Sequence, residues 1–508
     1  MLGCACGFRI LMLPSPNSSH RKSFLLLARH LQSWGQDVTL WSPVIQPSHP
    51  NDPTFVDFPL ESVNSRILYH HNRFCEAAWT KEHVHSAVWG YRWITDIAHY
   101  TCLEHYGQIQ SLFNSTWDAV VLDGFYNKIS LWALDYYQNS REHSSSTPAL
   151  HVVATLGIGP HMHTSFGIAY GVYGSTAVES LVEIGRFAGR LSNFLKRRFS
   201  DLMNRIGPFC MYAFNKLTGD VSLIYTKYSL SYYERQSFYL YSLQHTDLGP
   251  PLPVLNTLKY IGTQHQRDGY PVRNLSNSSL SLLDFLHQQQ ISKGVVIISF
   301  GHFLNWAVAP TYIVSAFTEL FRRLSHYSFV WKYDGPRLSL PENVYTNGWL
   351  PIPLSQLLAD NRTVALIGHG GLKSIAELID AEVPPIYIPF FGEQQWNVES
   401  IARLNGCGQI LSKYELSAES LTQAVRNVLA NHRYHKECIR KLKFKLTNLS
   451  LMEPLDSFAY SVEFSIRHKD HFSIVKQFAV RMNTIDYYNL DVAFAVLAGL
   501  VVFVSVIN

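Results

Sequence analysis

The sequence predicts an α/β protein of two domains, each a parallel sheet covered by helices, that face each other across a cleft. A chain of 508 residues is too long for one hydrophobic core. Short apolar runs of strand length alternate with helical patterns in two separate series, which is typical of parallel sheets. The proline-rich segment 250–253 lies between the two series and reads as a linker. A cleft between two such domains is the default position of a binding site.

The first series begins close to the N-terminus. A strand is predicted at 8–14, a helix from about 22 to 34, and further strands at 37–41, 118–123 and 151–155. Residues 165–245 are rich in tyrosine and break this rhythm, so helices but few strands are expected there.

The second series is more regular. Its predicted strands are 294–301, 328–332, 343–345, 364–367, 386–388 and 409–411, and its predicted helices are 311–325, 372–380, 394–404, 417–430 and 432–447. Both series are Rossmann-like in their strand–helix alternation.

Composition excludes several classes of protein. The chain is 47% hydrophobic and 16% charged, and its formal net charge of +4 is too small to indicate a nucleic-acid partner. Seven cysteines are scattered along the chain, and none form a zinc-ligand spacing. Because their number is odd, no disulfide framework can be predicted.

The C-terminal segment predicts a membrane anchor. Residues 492–507 are apolar except for Ser505, and Tyr487 and Tyr488 precede them as interfacial aromatics often do. The alternative is a buried C-terminal helix. Six Asn-x-Ser/Thr sequons give weak support to a lumenal location. A leader missing from this sequence would reconcile that location with a strand that already starts at residue 8.

A run between Trp349 and Asn397 predicts a binding site for a sugar nucleotide. His369, Gly370 and Gly371 follow a strand and precede a helix, where free backbone N–H groups and the helix dipole favour a phosphate. Ser374 adds a hydroxyl in the first turn. Glu377 lies two helical turns after His369 and suits the hydroxyls of a ribose. Taken singly, His369 could be an ordinary loop histidine, Trp349 a core residue, and Glu393 with Gln394 a helix cap.

His20 and Asp123 are the candidate catalytic pair. Transfer of a sugar from a sugar nucleotide to an alcohol needs a base whose pKa lies near neutral, and histidine has such a pKa. His20 follows the first strand, in the loop before the first helix. Asp123 ends a strand that lies near the first strand in a parallel sheet, so its carboxylate can orient the imidazole. The alternatives are that His20 is one of 23 histidines without a catalytic role and that Asp123 caps a helix, with Asp118 nearby.

These motifs, in this order, resemble the signature of the UDP-glycosyltransferase family, and animal UDP-glucuronosyltransferases in particular. The matching elements are Trp349-x-Pro351, Leu357-Leu358, His369-Gly370-Gly371, Ser374, Glu377, Val383-Pro384, Pro389-x-Phe391-Gly392-Glu393-Gln394 and Asn397. The resemblance implies a GT-B fold with a C-terminal transmembrane helix. It implies an acceptor-binding domain at 1–255, a UDP-sugar-binding domain at 256–485 and an anchor at 490–508.

The resemblance also implies a role for each site residue. Trp349 stacks on uracil, Glu377 holds the ribose, and His369 and Ser374 bind the diphosphate together with Gly370, Gly371 and Lys373. Glu393 and Gln394 bind sugar hydroxyls, His20 is the catalytic base and Asp123 its partner. The UDP-sugar is the donor substrate, and neither a cofactor nor a metal is expected.

The sequence departs from the family pattern in three ways. Ile352 and Pro353 lengthen the segment after Trp349, Lys373 replaces the usual asparagine, and His302 replaces the usual serine after Ser-Phe-Gly. These departures bear on donor affinity and donor identity more than on the fold.

The expected function is inverting transfer of glucuronate or glucose from a UDP-sugar to a small lipophilic alcohol or phenol. The expected location is the endoplasmic reticulum membrane, with the domains in the lumen and a single membrane pass. The alternative is a non-catalytic, UDP-binding or regulatory membrane relative, motivated by the three departures, and a bacterial-type glycosyltransferase is a third reading. Homo- or hetero-oligomerisation is left open.

Overall fold

A computed structural model provides the structure of the chain. It describes residues 7–16, 18–44, 55–59, 65–80, 83–113, 115–125, 148–158, 230–245, 256–262, 277–288, 292–448 and 452–469, together with the single positions 134, 162, 248, 494, 495 and 498.

The first sheet has seven parallel strands in the order β3-β2-β1-β4-β5-β6-β7. These strands are β1 (Arg9–Leu13), β2 (Asp37–Val44), β3 (Phe55–Pro59), β4 (Ala119–Asp123), β5 (Ala149–Ala154), β6 (Tyr239–Ser242) and β7 (Leu258–Tyr260). The order reverses direction between β1 and β4, which creates the crevice where open α/β sheets bind ligands.

In the described part of the chain, four helices accompany this sheet in sequence. They are α1 (Ser18–Ser33), α2 (Ser65–Thr80), α3 (His83–Phe113), which is kinked at His105, and α4 (Leu230–Gln236). α1 packs on the sheet through Phe24, Leu27 and Leu31, which recur at helical spacing and are buried.

The second sheet has six parallel strands in the order β10-β9-β8-β11-β12-β13. These strands are β8 (Val295–Ser299), β9 (Ser328–Lys332), β10 (Val344–Asn347), β11 (Thr363–Gly368), β12 (Pro385–Tyr387) and β13 (Gln409–Ile410). The direction reverses between β8 and β11, so this sheet has the same kind of crevice as the first.

The second domain is covered by helices on both faces of its sheet. They are α5 (Asn277–Gln288), α6 (Thr311–Arg323), α7 (Leu354–Ala359), α8 (Leu372–Ala381), α9 (Gln394–Val398), α10 (Ala418–Ala430) and α11 (His432–Asn448). A 3₁₀ turn at Trp306–Val308 and a π-helix at Glu399–Leu404 complete it.

The central strand β8 is apolar at every position from Val295 to Ile298 because both of its faces are buried. Val296 and Ile298 belong to one buried cluster, whereas Val295 and Ile297 belong to another on the opposite face. A strand covered on both faces has no position that favours a polar residue.

The last described helix returns to the first domain. α12 (Pro454–Arg467) buries Phe458 and Val462 in the core of the first sheet, and Ser465 Oγ lies 2.8 Å from His151 Nε2. β7 also belongs to the first sheet, so this sheet extends past the predicted boundary between residues 255 and 256. Part of the segment predicted as the second domain therefore packs with the first.

Two predicted elements differ in detail. The first helix begins at Ser18 instead of about residue 22, which places His20 within the helix and not in the loop before it. The predicted helix 394–404 is a short α-helix followed by a π-helix. The helices α2 and α3 were not predicted from the sequence, and most of the tyrosine-rich stretch 165–245 lies outside the described residues.

A disulfide joins Cys407 to Cys438, whose Cα atoms are 5.5 Å apart. It ties the segment after the π-helix to α11. The odd number of cysteines gave no indication of this pair, because the sequence does not show which positions the fold brings together.

Across the described residues, no helix is both long and apolar enough to span a bilayer. The predicted anchor at 490–508 lies outside the described part of the chain, apart from three single positions.

Candidate active site

The candidate residues gather at the carboxyl ends of strands next to the two switch points. In the first domain these strands are β1, β4 and β5, and in the second they are β8, β11 and β12. Parallel strands bring their carboxyl ends to one edge of the sheet, so residues far apart in sequence become neighbours.

His20 and Asp123 form a buried pair. His20 Nδ1 lies 2.6 Å from Asp123 Oδ2, and both side chains are almost fully inaccessible to solvent. Asp123 is the last residue of β4, which pairs with β1, while His20 lies in the first turn of the helix that follows β1. The topology of the sheet therefore creates this pair.

Two further groups hold the Asp123 carboxylate. Thr155 Oγ1 donates to Asp123 Oδ1 over 2.8 Å and lies 2.9 Å from His20 Nδ1. The backbone N–H of Ser15 donates to Asp123 Oδ2 over 3.3 Å. Sequence reasoning missed Thr155, although its position directly after β5 was a usable signal. These bonds fix the carboxylate in place.

This arrangement sets the tautomer of His20. The carboxylate accepts a hydrogen bond from Nδ1–H, so the proton stays on Nδ1 and Nε2 carries the lone pair. Nε2 is buried and has no hydrogen-bond partner among the described residues. An unpaired ring nitrogen in this position can take a proton from a bound hydroxyl group.

His369 lies at the carboxyl end of β11 and is buried. Burial lowers its pKa to about 4, Lys332 adds to the lowering, and a hydrogen bond to the backbone at Ser299 opposes it. The ring is therefore neutral near pH 7. Its Nδ1 is buried without a partner among the described residues. A neutral ring that bonds the backbone through its other nitrogen offers a hydrogen-bond acceptor at Nδ1. A diphosphate also offers only acceptors, so the predicted contact between Nδ1 and a diphosphate requires protonation of the ring on binding.

Gly370 and Gly371 are required by local packing. Gly370 has a φ of +85°, and an added Cβ would lie 2.2 Å from Val398. A Cβ on Gly371 would lie 2.6 Å from the His369 ring. The glycines thus shape the turn that leads into α8, in addition to leaving its first N–H groups accessible.

Lys373, Ser374 and Glu377 occupy the first two turns of α8. Lys373 Nζ lies 4.0 Å from Glu377 Oε1, one turn away, and Glu377 is largely buried while Ser374 is half-buried. Lys373, which replaces the usual asparagine, is therefore loosely paired with Glu377, the residue predicted to hold the ribose.

Trp349 is 59% exposed, so it is not the core residue that was the alternative for an isolated tryptophan. Its backbone N–H donates to Asn347 Oδ1. The additional residues after it have structural roles, because Ile352 is buried in the core and Pro353 is the N-cap residue of α7. The insertion thus extends the core beneath Trp349 and leaves the ring accessible.

Glu393 and Gln394 lie after β12 and are buried. Burial raises the pKa of Glu393 to about 8, so its carboxyl group is mostly protonated near pH 7 and can donate a hydrogen bond. Gln394 Oε1 accepts from the backbone N–H groups of Phe390 and Phe391 at 2.8 and 3.2 Å. The side-chain carbonyl oxygen of Gln394 therefore stabilises the loop that follows β12.

His302 lies between the two halves of the site. Burial lowers its pKa to about 3, and positive charge on Lys332, Lys22, His369 and His20 would lower it further. Charge on either His20 or His369 affects the pKa of His302, so the candidate base and the candidate phosphate site both lie near His302.

Asn397 holds the glycine turn that leads into α8 and links the two domains. Its Nδ2 donates to the Gly370 carbonyl over 3.0 Å, while its Oδ1 lies 3.4 Å from Gln244 Nε2 in the first domain. Lys22 and Lys332, which were not predicted, also lie beside Trp349. The position of Lys332 follows from the pairing of β9 with β10, whereas that of Lys22 depends on how the domains meet, which no local pattern encodes.

Comparison with known proteins agrees with this geometry. The model of the family described as UDP-glucoronosyl and UDP-glucosyl transferase matches residues 9–508. The chain is 28% identical over 249 residues to the UDP-glycosyltransferase UGT5 of Dactylopius coccus, a match that covers 49% of this chain and 44% of that protein. It is 32% identical over 207 residues to a UDP-glucuronosyltransferase of Pleuronectes platessa, covering 39% and 40%. The matches therefore span less than half the length of these relatives.

The fold is shared with solved structures. The UGT71G1 protein of Medicago truncatula, solved in complex with UDP-glucose, superposes with a TM-score of 0.58 at 15% identity, covering 91% of this chain and 98% of that one. The two parallel sheets are thus those of the GT-B fold that the sequence predicted.

Proposed function

The chain belongs to the UDP-glucoronosyl and UDP-glucosyl transferase family, and from this premise we propose that it transfers a sugar from a UDP-sugar to a hydroxyl group of a small lipophilic acceptor. One observation carries the proposal. His20 is held through Nδ1 by Asp123 at 2.6 Å, and its Nε2 is buried without a partner among the described residues. A protein that only bound UDP would not need an oriented base.

The proposed step is a direct displacement at the anomeric carbon. The acceptor oxygen forms the new bond to this carbon as its proton moves to His20 Nε2. The bond from the anomeric carbon to the β-phosphate oxygen breaks, and UDP leaves with the electron pair. Attack and departure on opposite faces invert the anomeric centre, and the proposed step uses no resident cofactor. Asp123 stabilises the imidazolium that forms.

The donor is proposed to lie on the second domain. Trp349 offers an exposed ring for the uracil, and Glu377 faces the ribose. Ser374 and the first N–H groups of α8 lie where a diphosphate binds a helix N-terminus. Glu393, mostly protonated, and the Gln394 amide are proposed to contact sugar hydroxyls. We propose glucuronate or glucose as the sugar, the two named in the family description.

The acceptor is proposed to lie against the aromatic side chains of α2, α3 and the loops after β8 and β12. Phe74 packs against both Phe391 and Phe303, with ring centres 5.1 and 6.0 Å apart, and Trp93 contacts Phe303 at 5.6 Å. Phe391, a member of this aromatic cluster, lies two residues before Glu393, so an apolar aglycone bound there would lie beside the sugar.

The location is proposed from sequence. The apolar segment 492–507 supports attachment to a membrane, and we propose the endoplasmic reticulum membrane with both domains in the lumen. Recovery of the full chain in a membrane fraction after alkaline washing, and its release when residues 490–508 are deleted, would test this.

The activity is tested by UDP release from three donors. The full chain would be given UDP-glucuronate, UDP-glucose or UDP-N-acetylglucosamine with a panel of phenols and steroids. We expect one of the first two donors to be consumed in an acceptor-dependent way. UDP binding without turnover of any donor would instead support a non-catalytic, UDP-binding relative, the alternative that Lys373 and His302 motivate.

A further inference from the structure

Lys22 reaches from the first domain to the second. It lies two residues after His20 on α1, and its Nζ is 5.6 Å from the centre of the Trp349 ring. Lys332, the last residue of β9, places its own Nζ 5.2 Å from the centre of the same ring. Ammonium groups from both domains thus meet beside the exposed tryptophan.

A third lysine extends this cationic group. Lys373 lies in the first turn of α8, with Nζ 4.0 Å from Glu377 Oε1. Burial lowers the pKa of Lys22, and Lys373 and Lys332 lower it further, while Glu377 opposes the change. We call Lys22, Lys332 and Lys373 the lysine cluster. Its three lysines outnumber the two carboxylates that act on them, those of Glu377 and Asp334, and like charges near one another are unfavourable unless an anion joins them.

We propose that Lys22 is a diphosphate-binding residue supplied by the first domain, so that lysines of both domains hold the nucleotide. This inference rests on the proposed function, since it assumes a UDP-sugar beside Trp349. The diphosphate of such a donor carries about two negative charges and would offset the charge of the lysine cluster. Lysine binds phosphate as a compact point charge with three donors.

The position of Lys22 explains why the phosphates are its expected target. Trp349 and the N-terminus of α8 at Gly371 are the proposed sites of the uracil and of the diphosphate. Lys22 lies beside the Trp349 ring, and its pKa responds to Lys373 in the first turn of α8. Uracil offers no full negative charge to a lysine. A uronic acid carboxylate is the remaining anionic group of a donor, and the experiment separates it from the diphosphate.

The test is isothermal titration of the full chain with UDP and with uridine. Lys22→Met should weaken UDP binding by about 10-fold to 100-fold, the range for loss of a charged hydrogen bond, and leave uridine binding within about twofold. Lys22→Arg, which keeps the charge, should retain most of the UDP affinity. Lys436→Met, which removes an exposed lysine on α11, is the matched control and should change neither affinity.

Each other result has a distinct meaning. If the unaltered chain binds UDP and Lys22→Met binds it equally well, the inference is wrong while the proposed function stands. Equal losses for UDP and uridine, or a gain for uridine, would show that Lys22 acts on Trp349 and not on the phosphates. A loss for UDP-glucuronate but not for UDP would assign Lys22 to the sugar carboxylate and overturn the inference. Failure of the unaltered chain to bind UDP would overturn the proposed function itself.

Discussion

At the scale of single residues, proton positions determine what the cleft can do. The hydrogen bond from His20 to Asp123 leaves one ring nitrogen available, and Thr155 prevents the carboxylate from turning away. On the donor side, burial keeps His369 neutral and Glu393 mostly protonated near pH 7. Burial therefore determines the protonation of both donor-side groups near pH 7.

Glu393 should make stability depend on pH. Its folded pKa of about 8 lies above the ordinary value of 4.5, so the folded state holds a proton that the unfolded state has lost. Stability should therefore fall as pH rises from about 4.5 to 8. The full effect is on the order of a few kcal/mol.

The measurement is urea unfolding of the unaltered chain and of Glu393→Gln at pH 5, 7 and 8.5. Other buried groups titrate as well, so the difference between the two proteins isolates Glu393. The unaltered chain should lose stability relative to Glu393→Gln as pH rises. A difference that does not change with pH would show that the carboxyl group is not held protonated.

At the scale of elements, the sequence predicted the second domain well because each strand there is a short apolar run bounded by polar residues. It failed for α2 and α3, whose many histidines and aromatics obscure an amphipathic pattern. It also placed the start of α1 about four residues late. The site residues of the second domain belong to one continuous stretch of sequence, from Trp349 to Asn397, and could be recognised together. Thr155 and Lys22 join the site only through tertiary packing.

The disulfide is a second feature that depends on tertiary structure. Cys407 and Cys438 are separated by 31 positions, and cross-linking such a loop typically contributes about 2–4 kcal/mol through the unfolded state. The double variant Cys407→Ser/Cys438→Ser should unfold at correspondingly lower urea. A reductant should produce a similar loss in the unaltered chain and none in the double variant. Identical unfolding of both proteins without reductant would contradict the disulfide.

At the scale of the whole molecule, α2 joins the two domains. Trp79, on α2, is buried in a core cluster of the second domain, and its Nε1 donates to the Asn305 carbonyl over 3.0 Å. Lys413 Nζ donates to the carbonyl oxygens of Ala78 and Phe390 at 2.7 and 2.8 Å. Together with the return of α12 to the first sheet, these contacts couple the domains that form the cleft.

Trp79→Ala should therefore destabilise the protein and weaken the coupling between the two domains. We expect a loss of about 3–5 kcal/mol from the cavity, and separation of the unfolding of the two domains in calorimetry. Trp79→Phe keeps most of the apolar volume and is the milder control. One unchanged cooperative transition in Trp79→Ala would show that α2 does not couple the domains.

The most direct test of the catalytic assignment compares UDP release with UDP binding in His20→Ala. Removing a general base should reduce turnover by about 100-fold to 10,000-fold. UDP affinity should stay within about twofold, since His20 is proposed to act on the acceptor hydroxyl and not to bind the nucleotide. Asp123→Asn should lose turnover in the same way, while Asp118→Asn, at the other end of β4, should not. Equal turnover in His20→Ala and the unaltered chain would contradict the assignment of His20 as the catalytic base.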